Sequence, residues 1–158
     1  MPPIRFLNTL HKEGKLELVM PSKDIEVSYM LKSQSQLESA NILLDNGKLE
    51  EPMTNAYYCM YDASIALLFR VGIKCENHGA TIILLKEVFG IDNTDISFAK
   101  TERIDKQYYL TKLTKADVQD LIDRAERFKQ RIIDFSTRIN NDQIENWRKK
   151  LKELVGQK

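Results

Sequence analysis

The sequence predicts an all-α fold: an antiparallel bundle of four to five main helices, with a short N-terminal helix and arm and a C-terminal amphipathic tail helix. Three observations predict it. Apolar residues recur at spacings of three and four along most of the 158 residues, the period of a helix with one buried face. Nothing alternates with period two over the length of a strand. Gly, Pro, Asn and Asp stand at the breaks between the periodic stretches, where helices begin and end.

Taken in order, "PPIRFLNTLHKEGKLELVMP" reads as a short helix from Ile4 to Lys12, stopped by Gly14, and then an extended arm ending at Pro21. Ser22 is an N-cap for the first long helix. Along that helix Val27, Met30, Ser33, Leu37, Ala40 and Leu44 form one stripe, and "DNG" at 45–47 ends it. Pro52 suits the first turn of the next helix, and Gly72 its C-terminal stop. Asn77 can cap a third helix, "HGATIILLKEVFG", which stops at Gly90. The segment "ISFAKTERIDKQYYLTKL" is a fourth helix. "TKAD" is then a capping box, Thr114 and Asp117 bonding reciprocally, that opens a long helix. Its stripe is Val118, Leu121, Ile122, Ala125, Phe128, Ile132, Phe135 and Ile139. "NND" at 140–142 breaks it. The tail carries Ile144, Trp147, Leu151 and Leu154 on one side, a face that must be buried on the bundle or on another chain. The expected organisation is an arm over 1–22, a bundle over 23–139 and a basic amphipathic tail over 140–158.

Net charge is +1, so the whole chain offers no electrostatic argument for nucleic acid. The distribution is uneven: residues 124–158 are net +5 and the remainder net −4. A basic C-terminal third suits RNA or a phosphate-bearing partner, and equally suits the solvated face of a long helix. Two cysteines, Cys59 and Cys75, are too few for a disulfide framework or a four-cysteine zinc site, so no metal and no cofactor is expected. Cys59 reads as a small buried side chain and Cys75 as part of a turn. With no signal-peptide pattern and no apolar run of membrane-spanning length, a cytoplasmic, reducing setting with no membrane association is expected.

The stretch "AYYCMYDASIALLFRVG" at 56–72 sets three tyrosines and an aspartate in an apolar run. Apolar groups cover nearly the whole wheel, the mark of a central helix with neighbours on several sides. The exception is one line, Asn55, Cys59, Asp62, Ala66 and Arg70, with Tyr58 beside it. Such a line is either a satisfied buried network or the lining of a functional groove.

"NAYYCMYDASIALLFRVGIKCENHGATIILL" resembles the signature helix pair of the HEPN family (higher eukaryotes and prokaryotes nucleotide-binding). The matching features are Ala56-Tyr57-Tyr58, Met60-Tyr61, Ala63, Leu67-Leu68, Gly72 and His78-Gly79. "HKEGKLELVMPS" is similar to the Gly-Lys-Leu arm of a bacterial and archaeal branch. "ERIDKQYY" resembles its Arg-x-x-x-Asp-Tyr element, and "LIDRAERFKQRI" its last helix. The resemblance runs over residues 5–139 and leaves the tail unaccounted for.

It implies an all-α bundle that forms a homodimer and acts on, or binds, RNA or a nucleotide. Many HEPN proteins are metal-independent endoribonucleases and toxins paired with a minimal nucleotidyltransferase antitoxin. Their nuclease motif is an Arg followed at a short distance by a His. Here His78 follows Arg70 with seven residues between, longer than the usual gap, and Gly72 separates the two onto different helices. Where the family places its later element, Arg103 is present but Gln107 and Tyr108 stand in place of Asp-Tyr or His, and Gln cannot shuttle protons. His78 and Arg103 are thus the candidate catalytic residues. Arg70, Lys74, Asn77, Gly79, Tyr108, Tyr109, Asp62 and Tyr58 are candidates for binding nucleotide or RNA. His78 and Gly79 open a helix, where free N–H groups favour an anion. The alternatives stay open: His78 as a cap packed on Tyr57 or Tyr61, Arg103 as a surface charge, His11 as incidental, and the whole chain as a catalytically silent HEPN module serving nucleotide binding or assembly.

Overall fold

The computed structural model describes residues 3–108 and 112–156, with the side chains of 106–108 excepted. Among the described residues, seven helices and two three-residue strands follow in the order α1 (Pro3–Lys12), β1 (Leu16–Leu18), α2 (Lys23–Asp45), α3 (Glu50–Val71), β2 (Ile73–Cys75), α4 (His78–Glu87), α5 (Thr94–Tyr108), α6 (Lys115–Thr137) and α7 (Asn141–Gly156). The fold is all-α, as the helical period requires.

The caps fall where side-chain chemistry puts them. Ser22 Oγ accepts from the Ile25 amide, and Asn77 Oδ1 accepts from the Ala80 amide. Thr114 and Asp117 make the reciprocal box. Asn140 and Gln143 make a second one at the head of α7, so "NND" starts a helix as well as ending one. Two expectations shift. The fourth helix begins earlier, at Thr94, and 112–114 are not helical, because Thr114 must leave the helix to cap α6. The arm is β1, paired antiparallel with β2 in the register Leu16–Cys75, Glu17–Lys74, Leu18–Ile73. Cys75 is therefore a buried strand residue rather than part of a turn. Three residues are too few for alternation to stand out, which is why the pattern was silent there.

α3 is the axis of the bundle. Fourteen of its 22 residues are buried, so it has packing partners all round. Its small residues, Ala56, Ala63, Ser64 and Ala66, let neighbouring helices approach closely. α2 and α6 flank it on one side, α4 and α5 on the other. Along α2 the expected stripe holds for Ser33, Leu37, Ala40 and Leu44, but Val27 is 56% exposed and belongs with exposed Leu31 and Met20. α7 lays Ile144, Leu151 and Val155 into the core, and Trp147 packs edge-on to Phe89 at 5.1 Å and beside Phe135 at 5.4 Å. No described helix is long and apolar enough to cross a membrane.

The polar line of α3 resolves into a network against α2. Asn55 donates to Gln36 Oε1 at 2.6 Å, and Ser33 Oγ donates to the Cys59 carbonyl at 2.6 Å. Arg70 pairs with Glu26 at 3.7 Å. Asp62 is the strained member: burial raises its pKa to about 6, opposed by Lys32. A carboxyl whose folded pKa is raised contributes stability below its unfolded pKa and loses it as pH rises through the folded value. Asp62→Asn is therefore expected to stabilise the fold at pH 7.5 by about 1–2 kcal/mol, with the gain gone near pH 4. Urea unfolding at the two pH values checks this. An equal effect at both would remove ionisation as the cause.

Candidate functional site

On the other side of α3, Tyr57 and Tyr61 stand one turn apart and share a face. α4 begins at His78 directly above them, because Gly72 turns the chain back and β2 carries it along the bundle to the Asn77 cap. The His78 ring lies flat on Tyr61, centroids 3.9 Å apart and planes 20° from parallel. Its Nδ1 is 2.9 Å from the Tyr57 hydroxyl. Tyr58 meets the same imidazole edge-on at 5.8 Å.

α5 brings the cations. Its first turn is anchored by Asp95, which accepts from Arg124 at 3.2 Å and from Arg131 at 2.7 Å, both on α6. Two turns on, Arg103 sets its guanidinium 4.8 Å from the centre of the Tyr57 ring and 5.6 Å from that of Tyr58. Among the described residues it has no carboxylate partner, and its buried Nε has no hydrogen-bond partner. Lys100 lies three residues earlier on the same face, with Nζ 3.5 Å from where a Cβ on Gly79 would stand.

These neighbours set the protonation states. Burial, then Arg103, then Lys100 lower the His78 pKa, so the ring is neutral near pH 7. Burial raises the Tyr57 phenol despite Arg103, and pushes Tyr61 up to about 12. The result is a neutral imidazole, two protonated phenols and two cations around the open end of α4, a setting that favours an anion and disfavours a further cation.

The candidates read from sequence divide clearly. His78, Gly79, Tyr58 and Arg103 come together. Asn77 stands beside them, but its carbonyl oxygen is committed to capping α4. Lys74 is on β2 and paired with Glu17 at 4.0 Å and Glu76 at 3.6 Å. Arg70 and Asp62 point to the α2 side. Nine residues from Tyr61 to Arg70 turn the helix half-way round, so Arg70 cannot reach His78. The Tyr108 side chain and the whole of Tyr109 lie outside the described residues. Lys100 was missed, although its spacing of three from Arg103 was the available signal. Tyr57, read as packing, turns out to touch both His78 and Arg103.

The motifs that carry these residues have a counterpart in known proteins. The HEPN domain model matches residues 27–136. UPF0332 protein PH1297 of Pyrococcus horikoshii is 36% identical over 76 residues, which are 48% of this chain and 49% of that protein. The chain thus matches about half the length of that curated relative. No solved structure matches. The match to the family covers α3, α4 and α5 whole, together with nearly all of α2 and α6, and so every described member of the site; the chain belongs to the HEPN domain family.

Proposed function

We propose that the chain acts on RNA through His78 and Arg103, without a metal ion, as the HEPN component of a pair with a minimal nucleotidyltransferase. HEPN membership supports a nucleotide- or RNA-related role in general. The observation that carries the sharper reading is the meeting of His78 and Arg103 on the single ring of Tyr57, despite their belonging to different helices.

In this reading the site residues divide the labour. Arg103 and Lys100 hold a backbone phosphate, and Arg103 stabilises the charge that builds on it. His78 Nε2 takes the proton of the 2′-hydroxyl as that oxygen attacks phosphorus. The bond from phosphorus to the 5′-oxygen breaks, and the leaving oxygen is protonated by water. For Nε2 to accept, Nδ1 must carry its hydrogen and donate it to the Tyr57 oxygen, so Tyr57 orients the base. The homodimer expected of the family has a surface to use in the exposed apolar residues of α2, Val27 and Leu31.

A second reading has its own observation. With Nδ1 tied to Tyr57 and the ring stacked on Tyr61, only one nitrogen of His78 remains, and no second histidine stands with it. A site of this kind can hold a phosphate without cutting, as a silent module that binds nucleotide or assembles with a partner. Incubation of a mixed RNA pool in EDTA separates the two. Cleavage by the wild type, lost in His78→Ala and Arg103→Ala, is the expected result. Intact RNA from a well-folded protein that still binds it would leave the silent module standing.

A further inference from the structure

The segments outside the family match build a pocket of their own. α1, β1 and the end of α7 line a half-open cavity of about 330 Å³, and none of its lining residues falls within 27–136. We propose that this cavity binds a small amphipathic anion: an apolar body of one or two rings carrying a carboxylate, sulfonate or phosphate group. The proposal does not depend on the His78–Arg103 reading.

Size and lining come first. The volume falls at the lower end of the range for small-molecule sites, which are largely apolar with a few convergent polar groups. Leu18, Leu151 and Val155 supply the apolar wall, contributed by β1 and α7. They stay in place because α7 is fastened to the bundle. Arg148 donates to the carbonyls of Val19, Val71 and Gly72 at 2.7, 3.1 and 2.8 Å, and Leu151 and Val155 are themselves buried.

Charge selects the other end of the ligand. Lys12 and Lys152 line the same cavity from opposite helices, and neither is in an ion pair among the described residues. The one carboxylate in the lining, Glu17, is drawn to Lys74 on β2 at 4.0 Å. Three of the last four carbonyls of α1, those of Thr9, Leu10 and His11, are taken by the amides of Glu13, Lys15 and Gly14. His11 also lines the cavity. Its Nδ1 lies 3.0 Å from the Leu16 carbonyl oxygen, and since a carbonyl can only accept, that ring nitrogen is the donor.

The probe is 8-anilino-1-naphthalenesulfonate, titrated into the native full chain by calorimetry and fluorescence. One saturable site is expected, about tenfold weaker in Lys152→Ala and in Lys12→Ala, and abolished in Val155→Trp, whose indole fills the cavity. N-phenyl-1-naphthylamine, the same ring body without the sulfonate, is expected to bind about tenfold more weakly than the anion. His78→Ala and Arg103→Ala are expected to leave binding unchanged. Circular dichroism and the urea midpoint establish that each variant is folded. The proposal is overturned by non-saturable binding to the native chain, by equal affinity for the uncharged analogue, or by unaltered binding in a folded Val155→Trp. A gain of tenfold or more on deleting residues 157–158 would overturn it too, because the chain's own end would then be the occupant.

Discussion

Gly72→Ala is expected to destabilise the protein by about 3–5 kcal/mol, well beyond the usual range for a surface glycine. Gly72 ends α3 in the left-handed region, with φ 81°, and that alone costs an alanine about 1 kcal/mol. Space adds the rest. A Cβ there would stand 2.4 Å from the Val19 carbonyl oxygen and 2.9 Å from the Pro21 nitrogen, both backbone atoms, and 2.2 Å from the Arg148 guanidinium. Relieving the contact means moving the arm, breaking the Val19 to Gly72 hydrogen bond of 2.8 Å and loosening the Arg148 clamp on α7. Gly47 is the internal control: its φ is 82°, yet nothing lies within 4 Å of its Cβ position. Gly47→Ala should therefore show the strain alone, about 1 kcal/mol. Urea unfolding of both variants decides the matter. Equal losses would mean that close approach at Gly72 contributes nothing.

On the proposed reading of the site, Arg103→Ala is expected to lower RNA cleavage by a factor of about 10² to 10³, the usual cost of removing a group that stabilises transition-state charge. Arg103→Lys should recover little of it. The guanidinium is held by the faces of Tyr57 and Tyr58, and an ammonium lacks both the planar stack and the paired donors that fit a phosphate. Single-turnover kinetics with RNA-binding measurements alongside distinguish the roles. A variant that binds RNA normally but cleaves slowly places Arg103 in the chemistry. Equal losses in binding and cleavage make it an anchor. Full activity in Arg103→Ala would sink the assignment. Stability is a necessary control here, since removing Arg103 uncovers part of Tyr57, a fully buried side chain.

The pH response of this site has a definite sign. A histidine whose folded pKa is depressed costs stability as pH falls, because the unfolded chain takes up the proton first, near 6.5. A bound phosphate opposes that shift by supplying negative charge beside the ring. Binding of a short RNA to the wild type should therefore tighten as pH falls toward the lowered pKa of His78, and His78→Gln should flatten that dependence. An unchanged slope in the variant would assign the effect to another group.

Much of this molecule was determined by short-range chemistry, and that part was legible in the sequence. Helix identity follows from spacing, because residues three and four apart share a face whatever surrounds them. Ser22, Asn77 and Thr114 cap for reasons contained within four residues, and Gly72 stops α3 because it alone accepts a positive φ without cost. Those rules carried the bundle, while motifs such as Ala56-Tyr57-Tyr58 and His78-Gly79 carried the resemblance to the HEPN family, whose model matches residues 27–136. The ribbon of β1 and β2 was not legible, since a pair of three-residue strands exists only through its partner 57 positions away.

The site divides along the same line. His78 and Arg103 could be chosen as residue types with the right chemistry, but their meeting is a tertiary event. It requires α4 and α5 to pack on one side of α3, an arrangement maintained by Asp95 between Arg124 and Arg131. The linear gap from Arg70 to His78 pointed elsewhere, and only the half-turn of α3 between Tyr61 and Arg70 decides that Arg70 serves the α2 interface. Sequence determined which side chains could do chemistry. Packing decided which of them meet, because rotation about a helix axis and the side on which a neighbour docks depend on the sum of distant contacts.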